Sequence, residues 1–246
     1  MGKIISILNH KGGTSKTTTT LNGGKALSIL GCKVLVVDLD AQANLSQSLG
    51  VDEEEGNLAA VFSHKLSTLP IKVIGNNFHL VPASLDLSAV EPSLYSNINS
   101  YFILKSLLSP LKDQYDFILI DCPPSLGIYT QNALISSDGV IITVQSQFLA
   151  IKGLDTVYNL IETVKEKLNP DIEVWGLVAT QTNHTNLSKD ILTALRKKFQ
   201  KKVYATTIRQ NVALAEASIN RKDIFSYDPL SSGAVDYLNL AKEIIK

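Results

Sequence analysis

The chain has 246 residues, 45% of them hydrophobic, which is long for one domain yet ordinary for a doubly wound fold with a sizeable core. Lysine and arginine total 23 and so do aspartate and glutamate, so bulk charge favours neither nucleic acid nor membrane, and only a local patch could. No stretch approaches the roughly 18 apolar residues of a membrane span, no signal peptide is read, and Cys32 and Cys122, which lack metal-ligand spacing, are expected as reduced cytosolic thiols.

In chain order, Ile4, Ile5, Ile7 and Leu8 predict a strand beginning at residue 3 or 4. No helix-turn-helix segment precedes it, so a single domain over residues 1–246 is expected. Met1-Gly2-x-x-x-Ser6 has the form of a myristoylation signal, but Gly2 leads straight into the strand and that reading is set aside. Next comes KGGTSKTTTT, residues 11–20, and then a helix ending near Gly31. Strand, glycine loop and helix gather backbone N–H groups, a helix N-terminus and lysine around one point, which suits a phosphate. Against G-x-x-x-x-G-K-[ST] the match fails at His10 and Ser15 and holds at Lys16 and Thr17. Gly12 and Gly13 let the backbone approach an anion, Lys16 suits β- and γ-phosphate oxygens, and the Thr17 hydroxyl suits Mg2+. The plainer alternative is a Gly-Gly turn before a threonine-rich helix start. Gly23 and Gly24, each costing about 1 kcal/mol against alanine within a helix, hint at close packing.

Val34–Val37 is a second apolar run, ending in Asp38-Leu39-Asp40. Asp52–Glu55 is an acidic run expected as a solvated loop. Residues 56–115 are less regular, with a short strand pair (Val73-Ile74 and Phe78–Val81) and then a helix ending near Pro110. Phe117–Ile120 runs into Asp121-Cys122-Pro123-Pro124, and further strands are expected at 139–144 and 174–179. Short buried runs alternating with helices predict an α/β fold: a doubly wound, mostly parallel sheet flanked by helices. Asp38, Asp40 and Asp121 then stand at the C-terminal ends of strands, where such sheets bind ligands.

From Lys189 to Lys222 there are nine basic residues against two acidic ones. After Asn186-Leu187-Ser188, a helix with Ile191, Leu192, Leu195 and Phe199 on one face shows Arg196 and Lys197 to solvent. Such a surface suits sequence-independent phosphate contacts, and a merely solvated basic helix is the alternative. At the C-terminus Val235, Leu238, Ala241 and Ile245 form a stripe suited to docking on the core.

The segments NHKGGTSKTTTTLN, VLVVDLDAQANLSQSLG, YDFILIDCPPSLGIYTQNAL, TNLS, IRQNVALAEA and YDPLSSGAVDYLNLAKEI run in one order along nearly the whole chain. In them the chain resembles the ParA/Soj-type members of the ParA–MinD group of deviant Walker P-loop ATPases. The resemblance implies slow ATP hydrolysis with ATP and Mg2+. It implies an ATP-dependent homodimer that binds nonspecific DNA and is released by a ParB-like activating protein, in a cytoplasmic, nucleoid-associated setting. Lys11 resembles the lysine that reaches the partner's ATP, and Lys16 the phosphate lysine acting within one chain. Gly12, Gly13, Thr14, Ser15, Thr17 and Thr18 complete the nucleotide loop. Thr17 resembles the magnesium ligand, Asp121 a carboxylate linked to the metal through water, and Asp40 the residue that orients the attacking water. Arg209 and Asn211 align beside the adenine. Lys189, Arg196, Lys197, Arg221 and Lys222 are the candidate DNA contacts.

Three departures stand out. Ser15 replaces a glycine, Arg209-Gln210 replaces the family's usual Pro-Arg, and Ala213 stands where an arginine is common. Two other readings stay open. One is a MinD-like membrane-cycling or protein-cargo positioning ATPase; the membrane-cycling form would need a lysine-rich amphipathic C-terminal tail, so no stable membrane association is expected. A nucleotide-binding scaffold without catalysis would follow if Ser15 disabled the loop.

Overall fold

A computed structural model describes residues 1–51, 56–146 and 153–246. The acidic run at Asp52–Glu55 lies outside them. Seven strands form one sheet among the described residues: β1 (Lys3–Leu8), β2 (Val34–Asp38), β3 (Lys72–Gly75), β4 (Phe78–Val81), β5 (Phe117–Asp121), β6 (Gly139–Gln145) and β7 (Glu173–Thr180). Their order is β3-β4-β2-β5-β1-β6-β7, every pair parallel except the β3–β4 hairpin. The predicted strands are all present. Two pairings position the site, because β5 lies between β1 and β2 with Ile7 and Asp38 both in register with Asp121.

The helices are α1 (Lys16–Ile29), α2 (Asn44–Ser48), α3 (Leu58–Phe62), α4 (Asp86–Leu94), α5 (Ile103–Leu108), α6 (Ile128–Ser136), α7 (Leu154–Lys167), α8 (Asn186–Phe199), α9 (Val212–Ile219), α10 (Ile224–Tyr227) and α11 (Ser232–Ile245). Alternate residues of the central strands feed opposite faces of the sheet, as the twofold strand period requires. Ile4, Leu35, Ile118 and Ile142 join one cluster with α4, α5, α6 and α7, while Ile5, Val36, Leu119 and Ile141 join another under α1 and α11. Both faces are covered, which is why the strands read as unbroken apolar runs.

Gly2 is buried, and a Cβ there would lie 1.8 Å from the Tyr115 carbonyl oxygen. The double glycine of α1 divides in two. A Cβ on Gly24 would sit 2.9 Å from Val36 Cγ1 and 3.1 Å from Phe78 Cε2, so this residue lets α1 lie close against the sheet. A Cβ on Gly23 would meet nothing within 4 Å, and nothing in the structure explains that glycine.

Three expectations need correcting. The helix expected to end near Pro110 is broken into α4, a 3-10 turn at Ile98–Phe102, α5, and a second 3-10 turn at Ser109–Asp113. The Asn97 side chain accepts from Asn99 N and so starts a new turn, and Pro110 stands in the first turn of the last piece, where its missing N–H costs nothing. Helix α8 starts at Asn186, capped by the Thr185 hydroxyl on Ser188 N. The docking face of α11 is Ala234, Tyr237, Leu240 and Ala241, whereas Val235 and Ile245 are each 46% exposed. Two contacts set that rotation. Tyr237 buries its whole ring and meets Thr19 Oγ1 at 3.2 Å, and Gly233 packs where a Cβ would lie 2.9 Å from Leu214 Cγ.

The two glycines give opposite expectations. Gly23→Ala should stabilise the protein by about 1 kcal/mol through helix propensity, while Gly24→Ala should destabilise it because overpacking costs about 1–3 kcal/mol. Urea denaturation of the two variants checks both signs, and equal shifts would contradict the packing described.

Candidate functional site

The loop between β1 and α1 is held from outside itself. Asn9, buried at the end of β1, donates to the Thr143 carbonyl at 2.6 Å and accepts from Lys11 N at 3.0 Å. Buried Thr14 accepts a hydrogen bond from Thr143 Oγ1 at 3.1 Å, and its carbonyl accepts one from Thr180 Oγ1 at 3.1 Å. Gln181 Nε2 donates to Gly13 O at 2.8 Å and to Ser15 Oγ at 3.1 Å, while Gln145 fixes the other end of that amide by donating to Oε1 at 2.6 Å. Thus the ends of β6 and β7 hold the loop in shape before any ligand arrives. Sequence reasoning missed Thr143, Thr180 and Gln181, whose only signal was a place at strand C-termini.

Of the two loop glycines, only Gly13 takes positive φ, at 74°. Ser15 follows at φ 67°, ψ 28°, in the left-handed region that costs a residue with Cβ about 1–2 kcal/mol. The Gln181 bond to its hydroxyl offsets part of that strain, so Ser15 does not undo the loop; it is accommodated by one. Lys16 opens α1, 7% exposed, with Nζ donating to the Lys11 carbonyl at 3.4 Å. Backbone N–H groups, the start of a fourteen-residue helix and this lysine converge on one spot that can hold an anion.

Facing the loop are carboxylates that the sheet register brings side by side. Asp38 is fully buried and accepts from Ser46 N at 2.9 Å, Ser46 Oγ at 2.7 Å and Asp40 N at 3.3 Å. Burial nonetheless pushes its carboxyl up to about 6. Asp121 is raised well above the usual carboxylate range, first by burial and then by the Asp38 charge, with the Thr17 hydroxyl and Lys16 opposing. Its Oδ2 is buried with no hydrogen-bond partner among the described residues. An orphaned carboxylate oxygen beside the Thr17 hydroxyl suits a hard cation such as magnesium, which takes oxygen ligands and keeps several waters. Among the described residues no cluster of three or more His, Cys, Asp or Glu forms a metal site of another kind. Cys32 and Cys122 are both free thiols, Cys122 fully buried.

Asp40 is partly exposed and accepts from Gln42 N at 3.0 Å. With Gly12 to Thr18 it lines a cleft of about 520 Å³. A second cleft of about 350 Å³ shares Ser15, Thr18, Gln181 and Ser218 with the first and continues to Arg209, Gln210 and Asn211. Asn211 caps α9 through Ala213 N at 2.8 Å and donates to Ser232 Oγ at 2.7 Å. Gly12 to Thr18, Asp40 and the Arg209–Asn211 segment thus form one continuous groove. Lys11, one residue before that lining, is half-buried, with no carboxylate in ion-pair range among the described residues.

The five basic candidates separate into two sets. Lys189, Arg196 and Lys197 are exposed on α8, and Lys189 lines a groove of about 640 Å³ with Arg209. Arg221 and Lys222 are exposed after α9, where Arg221 lines a different groove beside α2. Lys198 is engaged with Asp155 at 2.7 Å.

A family model described as an AAA domain matches residues 2–174. The chain is 40% identical to the sporulation initiation inhibitor protein Soj of Bacillus subtilis, over 99% of this chain and 98% of that protein. It is 38% identical to the chromosome-partitioning ATPase Soj of Treponema pallidum, over 100% and 98%. Among solved structures it resembles the cobyrinic acid a,c-diamide synthase of Mycobacterium smegmatis with bound ADP and magnesium, at 30% identity and a TM-score of 0.85, covering 100% of this chain and 94% of that one.

The raised carboxyls give a pH dependence whose sign can be worked out. An acid with a raised folded-state pKa binds more protons folded than unfolded, so stability is present at low pH and lost as pH rises. For Asp38 the window runs from about 4, the unfolded value, to about 6. The nucleotide-free protein should therefore lose stability across that window. Asp121→Asn, which removes the more strongly raised acid, should melt higher than the parent at pH 7 and close to it at pH 4. A lower melting temperature at pH 7 would contradict the buried, uncompensated carboxylate.

Proposed function

The chain belongs to the ParA/Soj family of partitioning ATPases, it hydrolyses ATP with magnesium, and we propose that its ATP-bound dimer binds DNA without regard to sequence and leaves it when a ParB-like protein stimulates hydrolysis. The observation that carries this reading is the groove lined by Gly12 to Thr18, Asp40 and the Arg209–Asn211 segment, with Asp121 buried beside α1, its Oδ1 3.5 Å from Thr20 Oγ1.

Phosphoryl transfer asks mostly for positioning and for neutralisation of charge. In our reading the backbone N–H groups of Gly12 to Thr18 and the Lys16 ammonium cradle the phosphates. Thr17 would hold magnesium directly and Asp121 through water, and the ion would supply positive charge to offset that of the phosphates. Asp40 orients a water for attack on the γ-phosphorus, the bond to the ADP oxygen breaks, and phosphate leaves. Arg209 and Asn211 border the adenine. Lys11, free of any ion pair within its own chain among the described residues, is the group that reaches the partner's ATP. Full neutralisation then requires two chains, which makes the γ-phosphate the condition for the dimer.

The DNA half rests on location of charge. Lys189, Arg196 and Lys197 lie exposed on one helix, Arg221 and Lys222 on a turn, and a dimer presents each set twice. The MinD-like alternative has less support because α11 buries Ala234, Tyr237, Leu240 and Ala241 against the core beside α1. Among the described residues, no helix is long and apolar enough to cross a membrane.

DNA titrations with ATP, ADP and no nucleotide at several salt concentrations test this. The expected result is binding with ATP alone, indifferent to sequence and weakening as salt rises; binding to anionic vesicles in its place would overturn it. Lys16→Ala should abolish the ATP effect, and Asp40→Ala should bind DNA with ATP yet turn over at least about tenfold more slowly, the scale of a lost positioning group.

A further inference from the structure

The segment from Val203 to Asn211 is stitched between two neighbours. On one side Tyr204 N, Ile208 N and Gln210 N donate to the carbonyls of Leu177, Ala179 and Thr182 at the end of β7. On the other side two carboxylates of α11 take three more backbone donors. Glu243 accepts from Ala205 N at 2.9 Å and Thr206 N at 2.8 Å. Asp236 accepts the backbone N–H of Arg209 at 2.9 Å and also grips its guanidinium, with Nε to Oδ2 at 2.9 Å and Nη2 to Oδ1 at 2.7 Å.

The second of these grips has the form of a latch. The Asp236 side chain is 8% exposed and lies on a helix packed to the core, whereas the Arg209 side chain is 50% exposed, so the fixed partner is the acid. Three donors of one residue on one carboxylate define both the backbone and the side chain of Arg209, and a planar fork on a carboxylate adds direction as well as strength. Arg209 lines two grooves at once, and without its acid the guanidinium would be free to swing into either. The next two residues, Gln210 and Asn211, stand at the mouth of the 350 Å³ cleft, and Asn211 is tied to Ser232 one turn before Asp236 on the same helix.

Resting on the ATP reading above, we propose that Asp236 is a positioning residue for the nucleotide base: by latching Arg209 it holds Gln210 and Asn211 against the base cleft. The phosphate loop, held by β6 and β7, does not depend on it. Its loss therefore weakens ligands that carry a base and spares those that are phosphate alone.

Calorimetric titration of Asp236→Ala with magnesium-ADP and with magnesium-pyrophosphate separates the two. Expected is a loss of about tenfold for ADP, the scale of one charge-assisted fork, with pyrophosphate changed less than about twofold on that scale. Asp236→Asn, which keeps an acceptor for the Arg209 N–H, should lose less for ADP, and it carries the same comparison if the alanine variant does not melt cooperatively. Unchanged ADP affinity, or equal loss for both ligands, overturns the latch while leaving the ATP reading in place. Failure of the unsubstituted protein to bind ADP at all would overturn the ATP reading, and the latch with it.

Discussion

Two carboxylates that water does not reach dominate the ligand-bearing edge of this sheet. Asp38 and Asp121 are in register across β2 and β5, both fully buried, and one oxygen of Asp121 has no hydrogen-bond partner among the described residues. Leaving such an oxygen unsatisfied costs on the order of 1–3 kcal/mol, more when it is charged. Among the described residues the Thr17 hydroxyl and Lys16 stand against the charge on Asp121. In the proposed reading a cation with a bound nucleotide would supply what is missing, and the unliganded fold would be poised for the ligand at a cost in its own stability, the usual exchange at functional sites.

The same logic runs through the departures from pattern. Ser15 places a Cβ in a left-handed turn, and Gln181 reaches across from β7 to hold its hydroxyl. Arg209 exposes a charged side chain beside the 350 Å³ cleft, and Asp236 reaches across from α11 to hold it. In both cases an unfavourable residue near the groove is restrained by a polar side chain on a different element. Rigid elements thus keep the groove in shape while its lining changes.

The strands were legible in the sequence because burial on both faces writes them as apolar runs, from Ile4 to the 174–179 segment. Gly12, Gly13, Lys16 and Thr17 were legible because phosphate chemistry constrains residue type at fixed spacing. What the sequence hid was long-range or rotational. Gln181 and Thr180 touch the loop across 166 positions, and no local pattern announces that. The face of α11 was displaced because Val235 and Ile245 are as apolar as the residues beside them; burial of Tyr237 and the small Gly233 decided the rotation. The region before Pro110 broke into short turns because Asn97 offered its side chain to the backbone.

The claim on which the functional account rests is that one chain cannot complete the site and that the γ-phosphate joins two. Lys11 carries it, half-buried next to Gly12 with no acid paired to it among the described residues. Sedimentation velocity with magnesium and either ADP or a non-hydrolysable ATP analogue tests it most directly. The account predicts a monomer with ADP, a dimer with the analogue, and a Lys11→Ala variant that binds the analogue yet stays monomeric. A parent protein that remains monomeric with the analogue bound, or a Lys11→Ala variant that dimerises as the parent does, would contradict it.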